Sequence, residues 1–269
     1  MIQTWKILQN KTKELRFDDH SSLDVITRQL PDGYYSTFRT YDSCSRVIGL
    51  TAHLRRLPDL NVSLLRRHLI QLLEPFRPNE ARVRVMQTYK GHIYISIEPL
   101  KKLPSAIYEK GVRVETTSIQ RNDPRTKSTA FISKSDEKRK HIAREGIFEA
   151  LLVKNGRILE GMTSNFFYIV TRDNIPLHLG TAHRDVLLGV TRRTVIRVAR
   201  GRGVEVRYKP LKLDQLSAVS EAFITSSSRG IVPVVQIDNA AVGQGRVGDV
   251  TRQLSAAYEA YVIRKAERI

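Results

Sequence analysis

One cysteine, one tryptophan and three methionines are all that this 269-residue chain contains of those three residue types. The single thiol, Cys44, has no partner within the chain, which excludes an intramolecular disulfide and any multi-cysteine zinc site. A reducing cytoplasm and a structural thiol are the expectation. No apolar run approaches the roughly 20 residues needed to span a bilayer. Met1-Ile2-Gln3-Thr4-Trp5-Lys6 lacks the apolar segment of a secretory leader. Acids are scarce too: 27 Asp and Glu stand against 45 Lys and Arg, for a net charge of +18. Such an excess suits a nucleic-acid binder or an enzyme for anionic substrates. The basic residues are scattered, however, and the densest cluster, from Lys134 through Lys138-Arg139-Lys140 to His141, carries acids and reads as a solvated helix face. No nucleic-acid-binding motif accompanies it, so a nucleic-acid role is not expected.

What is present suits a large core and two domains. Apolar residues make up 41% of the chain. A strand is expected over 34–41 after the turn signal Pro31-Asp32-Gly33. Leu64, Leu65, Leu69, Leu72 and Leu73 recur at helical spacing until Pro75 stops them. Strands over 83–86 and 93–97 flank Lys90-Gly91-His92 as a hairpin, and 112–115 is another strand. The polar residues 120–125 read as an interdomain connection. One helix is expected over 133–144. Strands over 150–153 and 157–159 flank Asn155-Gly156, a type I′ turn signal. An apolar strand over 166–170 leads to a helix after Gly189, with Val190, Val195, Val198 and Ala199 inward. Strands over 205–208, 222–225 and 232–237 and a helix over 249–265 complete an α+β pattern without repeats.

Chemistry concentrates in Glu160-Gly161-Met162-Thr163-Ser164-Asn165-Phe166-Phe167 and, further on, Leu188-Gly189-Val190-Thr191-Arg192. An acid at a strand end, a small-residue bend, a buried apolar run and a glycine opening a helix can hold a flat anionic heterocycle at two points. The carboxylate suits a ring nitrogen, and the helix N-terminus suits a phosphate. Thr225-Ser226-Ser227-Ser228, at another strand end, can add hydroxyls and amides.

These segments resemble, residue for residue, the signature of the class-IV aminotransferases. That family of fold-type-IV pyridoxal 5′-phosphate enzymes includes branched-chain and D-amino-acid aminotransferases and aminodeoxychorismate lyase. The resemblance implies a two-domain α+β fold: a smaller domain over 1–119, a connection over 120–126 and a larger cofactor-binding domain over 127–269. It also implies a homodimer with active sites at an interdomain cleft, small amino-acid and 2-oxo-acid substrates, and no metal. A Schiff-base lysine is expected a little over thirty residues before the signature acid. Lys127 fits that spacing, while its competitor Lys134 stands nearer Glu160 in a charged helix. An amine serves there only when part of it is neutral. Glu160 is expected to face the pyridine nitrogen, keeping it protonated so that the ring accepts electrons from Cα. Gly189, Val190, Thr191 and Ser227 are expected at the phosphate. His53-Leu54-Arg55-Arg56-Leu57 resembles the family's His-x-x-Arg-Leu, which assigns Arg56 to the phosphate as well. Tyr35, Arg39 and Ser228 are expected on the substrate side, and Thr37 beside the reacting substrate.

The chain departs from the family at several positions. Met162 stands where a small residue is usual, and no threonine lies around Leu177-His178-Leu179. Ala130-Phe131-Ile132 occupies the place of the Asn-Tyr of branched-chain enzymes. Ser36 replaces the acid typical of branched-chain and D-amino-acid transaminases. Amino transfer between an amino acid and a 2-oxo acid is the leading expectation. The alternative is lyase chemistry yielding 4-aminobenzoate and pyruvate, because Ser36-Thr37-x-Arg39 resembles that enzyme's Thr-Thr-x-Arg. A basic, non-catalytic interaction protein on the same fold is the distant third.

Overall fold

Along 33–39 the side chains alternate between two environments, and this alternation organises the first part of the molecule. In the computed structural model, every residue is described except Asn10, His20, Asp173 and Asn174, with only the backbone of Arg172, Ile175 and Pro176. Strands β1 (Gln3–Leu8), β2 (Lys11–Leu15), β3 (Gly33–Arg39), β5 (Ala81–Thr88) and β6 (Ile93–Pro99) form an antiparallel sheet in the order β2-β1-β6-β5-β3. A two-residue strand, β4 (Arg46–Val47), pairs instead with Glu267–Arg268. Phe38 of β3 joins Val83, Val85, Ile95 and Ile97 in a core closed by Leu65, Leu69, Leu72 and Leu73 of the helix Val62–Leu73. Asn61 caps that helix by accepting from the Leu64 amide at 2.9 Å, and Pro75 lies just beyond its end. Cys44 is buried beside Thr40, and burial raises its thiol pKa, as suits a structural role.

Strand β3 is a sheet edge, and residues 126–134 cover it. The Tyr35 amide donates to the Lys127 carbonyl at 2.9 Å, and the Thr129 amide donates to the Gly33 carbonyl at 2.9 Å. The Gly33 amide in turn donates to the Thr129 hydroxyl at 3.0 Å. The first compact unit is therefore Met1–Lys101 with Thr126–Lys134 and Val262–Ile269.

The second unit comprises Lys102–Arg125 and Ser135–Tyr261. Its strands are β7 (Val112–Thr117), β8 (Glu149–Lys154), β9 (Arg157–Gly161), β10 (Asn165–Arg172), β11 (Ile175–Gly180), β12 (Val206–Arg207), β13 (Leu211–Lys212), β14 (Glu221–Ser226), β15 (Gly230–Ile237) and β16 (Ala240–Ala241). Six of them, in the order β10-β14-β15-β7-β8-β9, close into a ring where Glu160 of β9 pairs with Asn165 of β10. Val114, Leu151, Ile158, Phe166, Ile224 and Val232 belong to its core. The helix Val190–Gly201 buries Val190, Val195, Val198 and Ala199, the face its spacing predicts. Asn155 and Gly156 both have positive φ, at 51° and 67°, as the type I′ turn between β8 and β9 requires.

Three expectations need revision in detail. The contact-defined units divide the chain differently from 1–119, 120–126 and 127–269. Residues 102–119 go with the second unit because β7 pairs in parallel with both β8 and β15, and Lys127 goes with the first because its backbone holds β3. The helix expected over 133–144 is two, Ala130–Lys134 and Asp136–Arg144, interrupted at the fully buried Ser135, whose hydroxyl accepts from Arg139 Nε at 2.9 Å. Strands β1, β2 and β11 were not anticipated.

Candidate active site

The turn at Asn155-Gly156 sends β9 back along β8 and delivers Glu160 to the seam of the ring, where it is buried. An isolated carboxylate there would be costly, and three hydrogen bonds offset that cost. Arg121 Nε donates to Oε1 at 2.8 Å, while Asn165 Nδ2 and the Leu187 amide each donate to Oε2 at 3.1 Å. The Arg121 guanidinium also donates to the Met162 carbonyl at 2.8 Å, which ties the bend to the acid. The side chains of Arg121 and Glu160 are 5% and 2% exposed, so the pair is desolvated and charge-assisted. Arg121 is the residue that sequence reasoning missed. It lies in the stretch expected to be a connection, 39 positions from its partner. A polar run around Asp123-Pro124 gives no sign that one of its charges is buried.

Asn165 also links the acid to the helix start. Its Nδ2 donates to the Leu187 carbonyl at 2.8 Å, and a Cβ added at Gly189 would lie 2.2 Å from its Oδ1. Only glycine leaves room for that side chain. The helix that follows has no side-chain cap, and its first amides and positive end suit an anion. The Thr191 hydroxyl donates to Ser227 Oγ at 3.3 Å, joining the helix start to the turn over 226–229, in which Ser228 also lies. Gly189→Ala is expected to push Asn165 off its bonds and to destabilise the protein by about 1–3 kcal/mol, the usual cost of overpacking. A melting curve coincident with that of the wild type would show that the contact yields freely.

The remaining expected residues lie in the first unit. On β3, Tyr35, Thr37 and Arg39 point away from the face that carries Ser36 and Phe38. Lys127 Nζ lies 4.8 Å from the centre of the Tyr35 ring, and the Arg84 guanidinium lies 4.6 Å from it. The buried Arg84 donates to the Thr37 hydroxyl at 3.1 Å and is itself held by Asp24 at 2.8 Å. Arg39 stacks over Tyr41 at 4.6 Å, and its buried Nε has no hydrogen-bond partner. Ser36 faces inward and bonds His53 Nδ1 at 2.9 Å, so this replacement for the family's acid belongs to the buried side of the sheet. His53 and Leu57 are buried, Arg55 is exposed and Arg56 is half-buried, which separates the two adjacent arginines. Lys134, the competitor of Lys127, is exposed.

Among the described residues no cluster of His, Cys, Asp or Glu could hold a metal, and no helix is long and apolar enough to cross a membrane.

The sequence model of the family described as amino-transferase class IV matches residues 33–237. A candidate branched-chain-amino-acid aminotransferase of Methanocaldococcus jannaschii is 28% identical over 94% of this chain and 93% of its own length. The Escherichia coli K12 branched-chain-amino-acid aminotransferase is 32% identical, over 56% of this chain and 50% of its own. A D-alanine aminotransferase of Bacillus licheniformis is also 32% identical, over 42% of this chain and 38% of its own. Among solved structures, a candidate branched-chain amino acid aminotransferase from Thermotoga maritima superposes with a TM-score of 0.80 at 24% identity, covering 97% of this chain and 96% of that one. The pyridoxal-phosphate-bound form of a hypothetical aminotransferase from Mycobacterium tuberculosis gives 0.77 at 18% identity, covering 97% and 99%. The chain belongs to the class-IV aminotransferases, the fold-type-IV enzymes that work with pyridoxal 5′-phosphate.

Proposed function

We propose that this enzyme transfers the amino group of a branched-chain amino acid to a 2-oxo acid, with Lys127 as the lysine that bonds the cofactor. The buried carboxylate of Glu160, held by three hydrogen bonds, carries the reading, because a fixed anion of that kind serves a protonated ring nitrogen. The residues fit the cofactor: the acid, the glycine-cleared helix start and the Thr191–Ser227 hydroxyl pair are linked through Asn165. When bound, pyridoxal phosphate supplies an aldehyde and an electron-withdrawing ring. Glu160 would hold a proton on the ring nitrogen, and Arg121 aims that carboxylate. The amides of Val190 and Thr191, the hydroxyl of Ser227 and the charge of Arg56 hold the phosphate. The Lys127 amine would bond the cofactor aldehyde and, with substrate bound, would take and return the proton at the substrate Cα. Tyr35, Arg39 and Ser228 orient the substrate.

The branched-chain donor is favoured by the relative that spans nearly the whole chain, whereas the D-alanine enzyme matches 42% of it. The lyase alternative is not favoured. The named relatives are aminotransferases. The family resemblance adds a homodimer in the cytoplasm to the proposal, and sedimentation of the 30.7 kDa chain checks the dimer. The substrate is tested by a donor panel of L-leucine, L-isoleucine, L-valine, D-alanine and aminodeoxychorismate, with 2-oxoglutarate as acceptor. Highest kcat/KM with the three branched L-donors is expected. Preference for D-alanine, or release of 4-aminobenzoate, would overturn the assignment.

A further inference from the structure

Glu149 has no part in the roles described above, yet its side chain is only 2% exposed at the start of β8. One of its oxygens, Oε2, gathers three donors: the Thr163 hydroxyl, the Ser164 hydroxyl at 3.3 Å and Arg229 Nη2 at 3.3 Å. The same Nη2 also donates to the Thr163 hydroxyl at 2.5 Å, and Arg229 Nε donates to the Ser226 hydroxyl at 3.0 Å. The Arg229 backbone amide closes the turn by donating to the Ser226 carbonyl at 3.3 Å, and its carbonyl accepts from Tyr108 at 2.9 Å. Two segments are thereby fastened together. One is the bend over 161–164, which directly follows Glu160. The other is the turn over 226–229, which holds Ser227 and Ser228.

The charge of Arg229 is matched by Glu149, so it is not a free receptor for a substrate anion. A mostly buried ion pair is also a weak way to add stability, since apolar side chains of similar size often serve as well. What the planar fork adds is direction, because it fixes Ser226 and Thr163 at once. Building on the functional reading above, we propose that Arg229 and Glu149 are positioning residues. They set the Ser227–Ser228 turn against the Glu160 bend, so that the phosphate end and the ring end of one cofactor are held at a fixed separation. A ligand with both ends senses this clamp, whereas a ligand with one end does not.

Wild-type protein and Arg229→Lys, which keeps the charge but loses the fork, are titrated with pyridoxal phosphate, pyridoxal and inorganic phosphate. Melting curves accompany each titration. The dissociation constant for pyridoxal phosphate is expected to rise about tenfold, with those for pyridoxal and phosphate nearly unchanged. Equal weakening of all three ligands marks a merely structural role and overturns the proposal. So does weakening of phosphate as large as that of pyridoxal phosphate, or no change in any. Should Arg229→Lys not fold, Glu149→Gln, which keeps shape and an acceptor, goes through the same titrations with the same expectations. If the wild-type protein itself takes up no pyridoxal phosphate, the functional reading falls. The wrong pattern of shifts on a competent wild type overturns the clamp alone.

Discussion

Replacing Lys127 by Ala is expected to lower turnover by on the order of 10⁴-fold or more, because one amine serves as both covalent anchor and proton shuttle. The fold should survive. Lys127 is half-buried, and what it contributes to the first unit is its carbonyl, which accepts from the Tyr35 amide whichever side chain is present. Melting curves near the wild type, with turnover gone, are therefore the expected pair of results. Lys134→Ala serves as the control, since that side chain is exposed and is expected to leave turnover unchanged. Comparable loss in both variants, or full activity in Lys127→Ala, contradicts the assignment.

Glu160→Gln is expected to lower kcat by about 10²–10³, the usual effect of removing one preorganised charge from a developing transition state. Cofactor should still bind, because the groups assigned to its phosphate are untouched. The variant also removes the charge that Glu160 sets against the buried Arg121. Truncating one partner of such a pair costs about 3–5 kcal/mol, so a lower melting temperature is expected as well. The two effects separate through Arg121. Arg121→Met should also lower the melting temperature, by removing the guanidinium paired with Glu160, while Arg121→Met with Glu160→Met should recover much of that loss. The double variant should remain as slow as, or slower than, Glu160→Gln. Recovery of turnover in it would mean that the acid has no role at the ring.

Much of this molecule can be read from local signals. The helix Val62–Leu73, the hairpin of β5 and β6, the Asn155-Gly156 turn and the inner face of Val190–Gly201 each have a period or a turn residue that states them. Strands β1 and β2 have weaker signals: β2 is almost wholly exposed, so no burial alternation marks it. The unit division was not legible, because what assigns 126–134 to the first unit is backbone pairing with β3, to which side-chain pattern is blind. Of the candidate site, the segments that share a motif could be singled out. Arg121 and the Glu149–Arg229 pair could not, since each meets its partner only through the closed ring of strands, 39 and 80 positions away. Ser36 shows the opposite case. In the motif it stands where the family has an acid, yet the alternation of β3 turns it inward to His53. Charge was the least informative feature, and the +18 excess has no account in this structure.

The central claim is that this chain holds pyridoxal phosphate covalently on Lys127. Incubation of the purified protein with the cofactor, borohydride reduction and mass-spectrometric peptide mapping tests it directly. The account predicts a yellow protein that bleaches on reduction and carries one phosphopyridoxyl group, on the peptide containing Lys127. A colourless protein, or a reduced group on Lys134 or any other lysine, would contradict it.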